Sequence, residues 1–211
     1  MVLTSADAKL KKVPVSGGAV LSLSEAVAVL GDFRGGTWGP NDTIVFVPTN
    51  TSSLFQVPGA GGAPQEFTTL KEGEIAHLWP QFLPDGKAVL FGVRLPGRPL
   101  GELDIVVQPL NSTEKRVLVR GGGFPSYAST GHLVYYRAGT IMAVSFDPAG
   151  LEVRGTPAPV LEGVAASLAG MQFSFSNSGS LAYVPGGPFA AADQSLVWVD
   201  RKGAEQPLRA P

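Results

Sequence analysis

The feature that most constrains this chain is a repeat. Four segments follow one plan: an aromatic residue, a Pro or Ser, a tight turn, then a β-branched and aromatic run. They are Trp38–Phe46, Trp79–Phe91, Phe124–Tyr136 and Phe173–Val184. With Thr43, Gly86, Gly131 and Gly179 taken as the turn residues, the copies recur at intervals of 43, 45 and 48 residues. That period overshoots leucine-rich and helical-hairpin repeats and matches a unit of about 40–50 residues made of four strands. Asp85-Gly86 has the composition of a two-residue hairpin turn, because Gly accepts the positive φ such a turn needs. Asn41-Asp42-Thr43 departs from it, so the first copy is expected to turn differently.

Each copy is followed by a second pair of apolar runs. Its first member reads Leu54–Val57, Asp104–Gln108, Thr140–Val144 and Leu196–Val199; short last strands follow at Arg116–Val119 and Pro159–Leu161. Four strands per copy in up-and-down order make a β-propeller blade. The fold class is therefore all-β: a propeller of four-stranded antiparallel blades over residues 31–72, 73–120, 121–165 and 166–211. An outer pair at 9–30, Leu10–Val15 and Val20–Leu23 around Gly17-Gly18, forms an N-terminal half-blade. Both ends then supply outer strands, so the reading is one domain, 1–211, forming a piece of a larger ring.

Composition supports strands and turns. The 27 Gly and 18 Pro are spread between short apolar runs, as turns require, and runs such as Ile44–Val47 are absent from disordered chains. The 16 Lys+Arg and 17 Asp+Glu nearly cancel, which argues against nucleic acid as a partner. Without Cys there are no disulfides and no zinc–thiolate sites. No apolar stretch approaches the roughly 20 residues that span a bilayer. Met1–Lys12 is mixed and polar and lacks the apolar run of a secretory signal.

The copies resemble the TolB-type, WD-repeat-like blade, with Trp79-Pro80, Leu83-Pro84-Asp85-Gly86 and Leu90-Phe91 the cleanest match. More narrowly, Gly179–Gly186 and Ser195–Gly203 are similar to the C-terminal propellers of bacterial membrane-anchored serine/threonine kinases. That resemblance implies a sensor or scaffold on the extracytoplasmic side. Kinase activity does not carry over. There is no Gly-rich loop with a following Val-Ala-Ile-Lys, no His-Arg-Asp and no Asp-Phe-Gly, and Asp32-Phe33-Arg34 is a chance echo.

Chemistry-bearing motifs are sparse. No Gly-x-Ser-x-Gly elbow occurs, and Gly59–Gly62 and Gly121–Gly123 lack the Lys and helix of a phosphate loop; they read as hairpin or inter-blade turns. His77 and His132 stand alone in sequence, so a solvent or loop role is expected for both and no metal site is assigned. Trp38, Trp79, Phe124 and Phe173 are expected to occupy one equivalent slot between blades. The loop holding Arg94, Arg98 and Glu102, two Arg on a Pro-Gly frame, is the best candidate contact for an anionic or peptide partner; His77, beside Trp79, is a second.

The expected function is a non-catalytic interaction or sensing module that uses no cofactor and takes a protein or peptide ligand. The alternative is a structural unit that self-associates through open blade edges. A hydrolase or metal-binding propeller is the remote third reading.

Overall fold

The computed structural model describes residues 2–6, 9–24, 34–167, 170–176, 180–186, 197–199 and 205–207. All regular structure there is β-strand, and every pairing is antiparallel. No helix among the described residues is long and apolar enough to cross a membrane.

A three-stranded sheet comes first: β1 (Val2–Ala6), β2 (Lys9–Val13) and β3 (Leu21–Ser24), in that order. The expected N-terminal pair thus carries a third strand, because Val2–Ala6 pairs with Lys9–Val13 residue for residue. A four-stranded meander follows: β4 (Gly36–Trp38), β5 (Thr43–Phe46), β6 (Phe55–Pro58) and β7 (Gln65–Glu66). Next is a seven-stranded run in sequence order: β8 (Ala76–Phe82), β9 (Ala88–Arg94), β10 (Leu103–Pro109), β11 (Arg116–Ala128), β12 (His132–Arg137), β13 (Thr140–Asp147) and β14 (Glu152–Glu162). The short strand expected at Pro159–Leu161 is the end of β14, which pairs with β13 from Glu152 onward. Three hairpins close the chain: β15 (Ala166–Ser167) with β16 (Gly170–Met171), β17 (Phe173–Phe175) with β18 (Leu181–Tyr183), and β19 (Val197–Val199) with β20 (Glu205–Pro207).

The seven strands are two four-stranded units sharing β11. Its first part pairs with β10 and its second with β12, so one 13-residue strand leaves one unit and enters the next. The crossing point is Gly121-Gly122-Gly123. Gly121 has φ 70°, and a Cβ on Gly122 would lie 2.7 Å from the Tyr135 ring and 2.9 Å from Ile105. A side chain there would force the two units apart.

Alternation along the strands builds the core. In β9, Val89, Phe91 and Val93 pack with Val45, Val47, Leu54 and Leu78, while Ala88 and Leu90 pack on the other face with Ile105, Leu133, Tyr135 and Phe146. Leu10 and Leu23 meet Ile44, Phe46 and Val57 in the same way. A strand buried on both faces reads as a continuous apolar run, and Val89-Leu90-Phe91 is one. One polar group in this core is left over: the Tyr135 hydroxyl is buried without a hydrogen-bond partner, and burial raises its pKa.

Two outcomes are expected from urea unfolding. Leu90→Ala costs about 2–5 kcal/mol by removing fully buried contacts. Tyr135→Phe leaves stability unchanged or raises it by about 1 kcal/mol, since it removes an unsatisfied hydroxyl.

Candidate functional site

The turns set a common register for the repeats. Gly39 N–H donates to Thr43 O and Asp42 N–H to Gly39 O; Leu83 N–H donates to Ala88 O and Gly86 N–H to Leu83 O; Gly131 N–H donates to Ala128 O. The residue matching Gly86 and Gly131 is therefore Asp42, at φ 55°, and not Thr43. Asp tolerates the left-handed region better than most side chains, and here its carboxylate also accepts from Trp38 Nε1 at 2.9 Å. The Pro40–Asp42 connection has the same length as Ser129–Gly131, whereas Asp85-Gly86 lies inside a four-residue loop from Pro84 to Lys87.

This register corrects the expected equivalence of the aromatics. Trp38 aligns with Phe82 and Tyr127, and all three pack against the apolar clusters. Trp79 and Phe124 align with each other and with Gly35. These three share positive φ, at 52°, 52° and 105°. Phe173 falls one residue later, level with Pro80 and Pro125.

A β-bulge accompanies the unusual φ in both aromatic copies. Leu78 pairs with Gly92 and Gln81 with Leu90; Gly123 pairs with Tyr136 and Ser126 with Val134. Each innermost strand thus carries one extra residue, and the ladder is broken at Trp79-Pro80 and Phe124-Pro125. Proline has no N–H to pair, which suits it to a bulge. The two aromatic rings then lie against each other, centroids 3.7 Å apart. A second element repeats beside them: Thr37 Oγ1 accepts from Phe82 N–H at 3.1 Å, and Gln81 Oε1 accepts from Tyr127 N–H. Thr37 and Gln81 are equivalent positions, so β4 is stitched to β8 and β8 to β11 by the same side-chain bond.

These strands border an open cavity of about 400 Å³ lined by Gly35–Thr37, Trp79–Gln81, Phe124–Ser126, Met171 and Phe173–Phe175. Among the described residues, no ionisable side chain lines it. Trp79 Nε1 is buried there without a hydrogen-bond partner.

Solved structures similar to this arrangement share one architecture. TolB from Acinetobacter baumannii is 17% identical with a TM-score of 0.60, over 95% of this chain and 48% of that one. A TolB candidate from Agrobacterium tumefaciens is 16% identical with a TM-score of 0.63, over 97% of this chain and 75% of that one. A chain of the nidogen/laminin complex is 14% identical with a TM-score of 0.59, over 88% of this chain and 70% of that one.

The fold is a β-propeller.

The chain spans about half of the Acinetobacter TolB. No family model and no curated sequence matches it. Lyases and a peptidase share the architecture too, so the propeller by itself does not decide for or against catalysis.

His77 does not take the solvent or loop role expected of it. It lies in β8, fully buried, with Thr68 Oγ1 2.6 Å from Nδ1 and Glu74 Oε2 3.0 Å from Nε2. Lys115 Nζ reaches Glu74 Oε2 at 2.5 Å, His77 Nε2 at 3.1 Å and the Thr69 carbonyl at 3.1 Å. Thr68 is 1% exposed and accepts from Leu54 N–H, so this hydroxyl–imidazole–carboxylate row faces no open space. It pins the segment after β7 to the next blade. Burial first, and the Lys115 charge second, push the His77 pKa down to about 4. Burial alone raises the Glu74 carboxyl, but hydrogen bonds from Lys115, the Lys71 amide and His77 outweigh it and hold the pKa low. His132 is half-buried at a strand start, 3.1 Å from Thr130 Oγ1.

The Arg94–Glu102 loop joins β9 to β10 as expected, yet its two Arg do not converge. Arg98 Nη1 donates to Asp104 Oδ1 at 3.0 Å, and Asp104 pairs with Val93 across the ladder, on Val93's face. Arg94, the next residue along β9, points to the other face, where its Nε is buried without a hydrogen-bond partner. Glu102 is exposed on the loop. Among the described residues no three His, Cys, Asp or Glu gather as a metal site.

Neutral buried His77 makes stability pH-dependent. Unfolded chains take up a proton near pH 6.5 that the folded chain refuses until about pH 4. The contribution is complete above pH 6.5 and is lost progressively as pH falls toward 4. Urea unfolding between about pH 7.5 and 5 is expected to show wild type losing up to about 1.4 kcal/mol per pH unit relative to His77→Gln. Equal pH dependence in the two proteins would show that His77 titrates normally in the fold.

Proposed function

We propose that this propeller is a non-catalytic binding module whose central cavity takes an uncharged segment of a protein or peptide partner. The observation that carries this reading is the pair of bulky aromatics, Trp79 and Phe124, held at φ 52° in equivalent bulges at the cavity wall. The left-handed region costs such residues about 1–2 kcal/mol. Gly35 meets the same backbone demand without that cost. Aromatic rings at such positions add apolar area facing the cavity, with Ser126, Ser174 and the Gln81 amide group beside them. A charged ligand would lose its hydration there with no ionic partner, which selects for a neutral one. The nidogen/laminin complex is an instance of this fold within a protein assembly. An extracytoplasmic sensor role, as in the propellers of membrane-anchored kinases, is the finer form of the same reading.

Substitution by glycine separates a ligand platform from a structural filler. Trp79→Gly and Phe124→Gly each relieve the backbone while losing ring contacts, Trp79's with the cluster of Val89 and Phe91 included, so stability is expected to fall by less than about 2 kcal/mol in urea unfolding. A loss of about 3 kcal/mol or more would mark them as core residues and defeat the proposal. In a variant whose only tryptophan is Trp79 (Trp38→Phe, Trp198→Phe), end-blocked uncharged hexapeptides with a central aromatic residue should shift its fluorescence saturably. Peptides with Asp or Lys at that position should not.

One observation favours a second reading, self-association. Leu181 and Tyr183 share a face of β18 and are 41% and 44% exposed. Light scattering across a concentration series is expected to show a dimer or larger species that Leu181→Lys dissociates. A concentration-independent monomer would remove this reading.

A further inference from the structure

Away from the cavity, the loop between β9 and β10 meets the glycine crossing of β11, and two arginines share one carboxylate while a third braces the backbone beside them. Asp104, 7% exposed at its side chain, gives Oδ1 to Arg98 Nη1 at 3.0 Å and Oδ2 to Arg120 Nη1 at 2.8 Å. Arg137 holds the backbone beneath them, donating from Nη2 to the Arg120 carbonyl at 2.8 Å and from Nε to the Gly121 carbonyl at 2.6 Å. Arg137 also sits over the Tyr135 ring, 5.3 Å from its centroid. Two guanidinium charges thus share one buried carboxylate, with the third guanidinium bonded to the backbone beside them, in a protein whose net charge is −1. The nearby exposed acid is Glu102, on the loop itself.

The geometry is more specific than a basic patch. Asp104 spends one oxygen on each arginine, which sets two guanidiniums side by side and consumes one N–H of each in the contacts it makes. The side chains of Arg98 and Arg120 remain 39% and 72% exposed, so donors of both face solvent. A guanidinium presents five N–H groups in a planar fork that matches a carboxylate in a paired, two-bond geometry. Ordering long side chains usually opposes such contacts, and here Asp104 has already ordered them.

We propose that Arg98 and Arg120, pre-positioned by Asp104, form a binding site for a side-chain carboxylate of an acidic peptide segment. The site is separate from the cavity and stands whether or not the cavity reading holds. A clamp of two cations fits a short acidic motif better than a phosphate backbone, which calls for a row of them.

The test is fluorescence anisotropy with a labelled peptide of alternating Asp and Glu, acetylated and amidated so that only side-chain carboxylates are present. Wild type is expected to bind saturably. Arg120→Gln should weaken binding at least tenfold, and Arg120→Lys should recover only part of it, since the charge returns without the fork. Arg154→Gln removes one positive charge elsewhere and should leave affinity within twofold. Asp104→Asn keeps the shape and adds net positive charge, yet should weaken binding because the arginines lose their positioning. Melting temperatures of all variants establish that each is folded. The proposal is overturned if Arg154→Gln weakens binding as much as Arg120→Gln, or if Asp104→Asn strengthens it, since either result describes diffuse attraction. It is also overturned if only a peptide with a free terminal carboxylate, or only a single-stranded RNA, binds.

Discussion

Burial of both faces of a sheet is the constraint on which this structure rests. A blade cannot hide its apolar residues within itself; it needs a neighbour on each side. Val89, Phe91 and Val93 face one neighbour and Ala88 and Leu90 the other, so β9 is apolar at nearly every position. The strand crossing at Gly121–Gly123 follows from the same demand. Adjacent blades must approach closely enough for Tyr135 to lie against Gly122, which leaves no room for a Cβ. Packing between blades thus dictates where the backbone is allowed side chains and where it is not.

Polar groups at the same interfaces serve register. Apolar contact is non-directional and tolerates slippage between blades, whereas a hydrogen bond with a defined partner does not. The bonds from Phe82 N–H to Thr37 and from Tyr127 N–H to Gln81 fix the innermost strands relative to each other at equivalent heights. Farther out, the Thr68–His77–Glu74–Lys115 row does the same for the outer connection, at the cost of keeping an imidazole neutral.

Local features of the fold were legible in the sequence. The repeat period and the alternation of apolar runs and turns depend on neighbours close in the chain, whereas Gly121–Gly123, which read as a hairpin or inter-blade turn, lie within one continuous strand. What stayed hidden depends on distance or on backbone state. Trp38 looks like Trp79 as a letter, but the two differ by their offset from the positive-φ turn residue, and Asp42 conceals that residue where Gly86 and Gly131 announce it. His77 looks solitary because Lys115 lies 38 residues away. Arg98 stands out in the sequence by its charge, but its partner Asp104, and Arg120 on the same carboxylate, are brought to it by strand pairing, while Arg94 is turned to the opposite face by the same alternation. A search for polar residues at matching offsets within each repeat would have found Thr37 and Gln81.

The innermost strands show why a binding site would form where it does. Strands nearest the axis are the most crowded, and extended pairing there would leave little free space. A bulge that contains proline prevents this, since Pro80 and Pro125 have no N–H to offer and the extra residue bends the strand away from its partner. The backbone must then pass through positive φ, and glycine would do so at least cost, as it does at Gly35. Aromatic residues in the other two copies keep the bend and add ring area, so the same irregularity that opens the cavity also furnishes its wall. Folding stability is thereby exchanged for aromatic area on a wall that also carries Thr37, Gln81 and Ser126, and the backbone irregularity repeated at Trp79 and Phe124 lies where the strands face the open space.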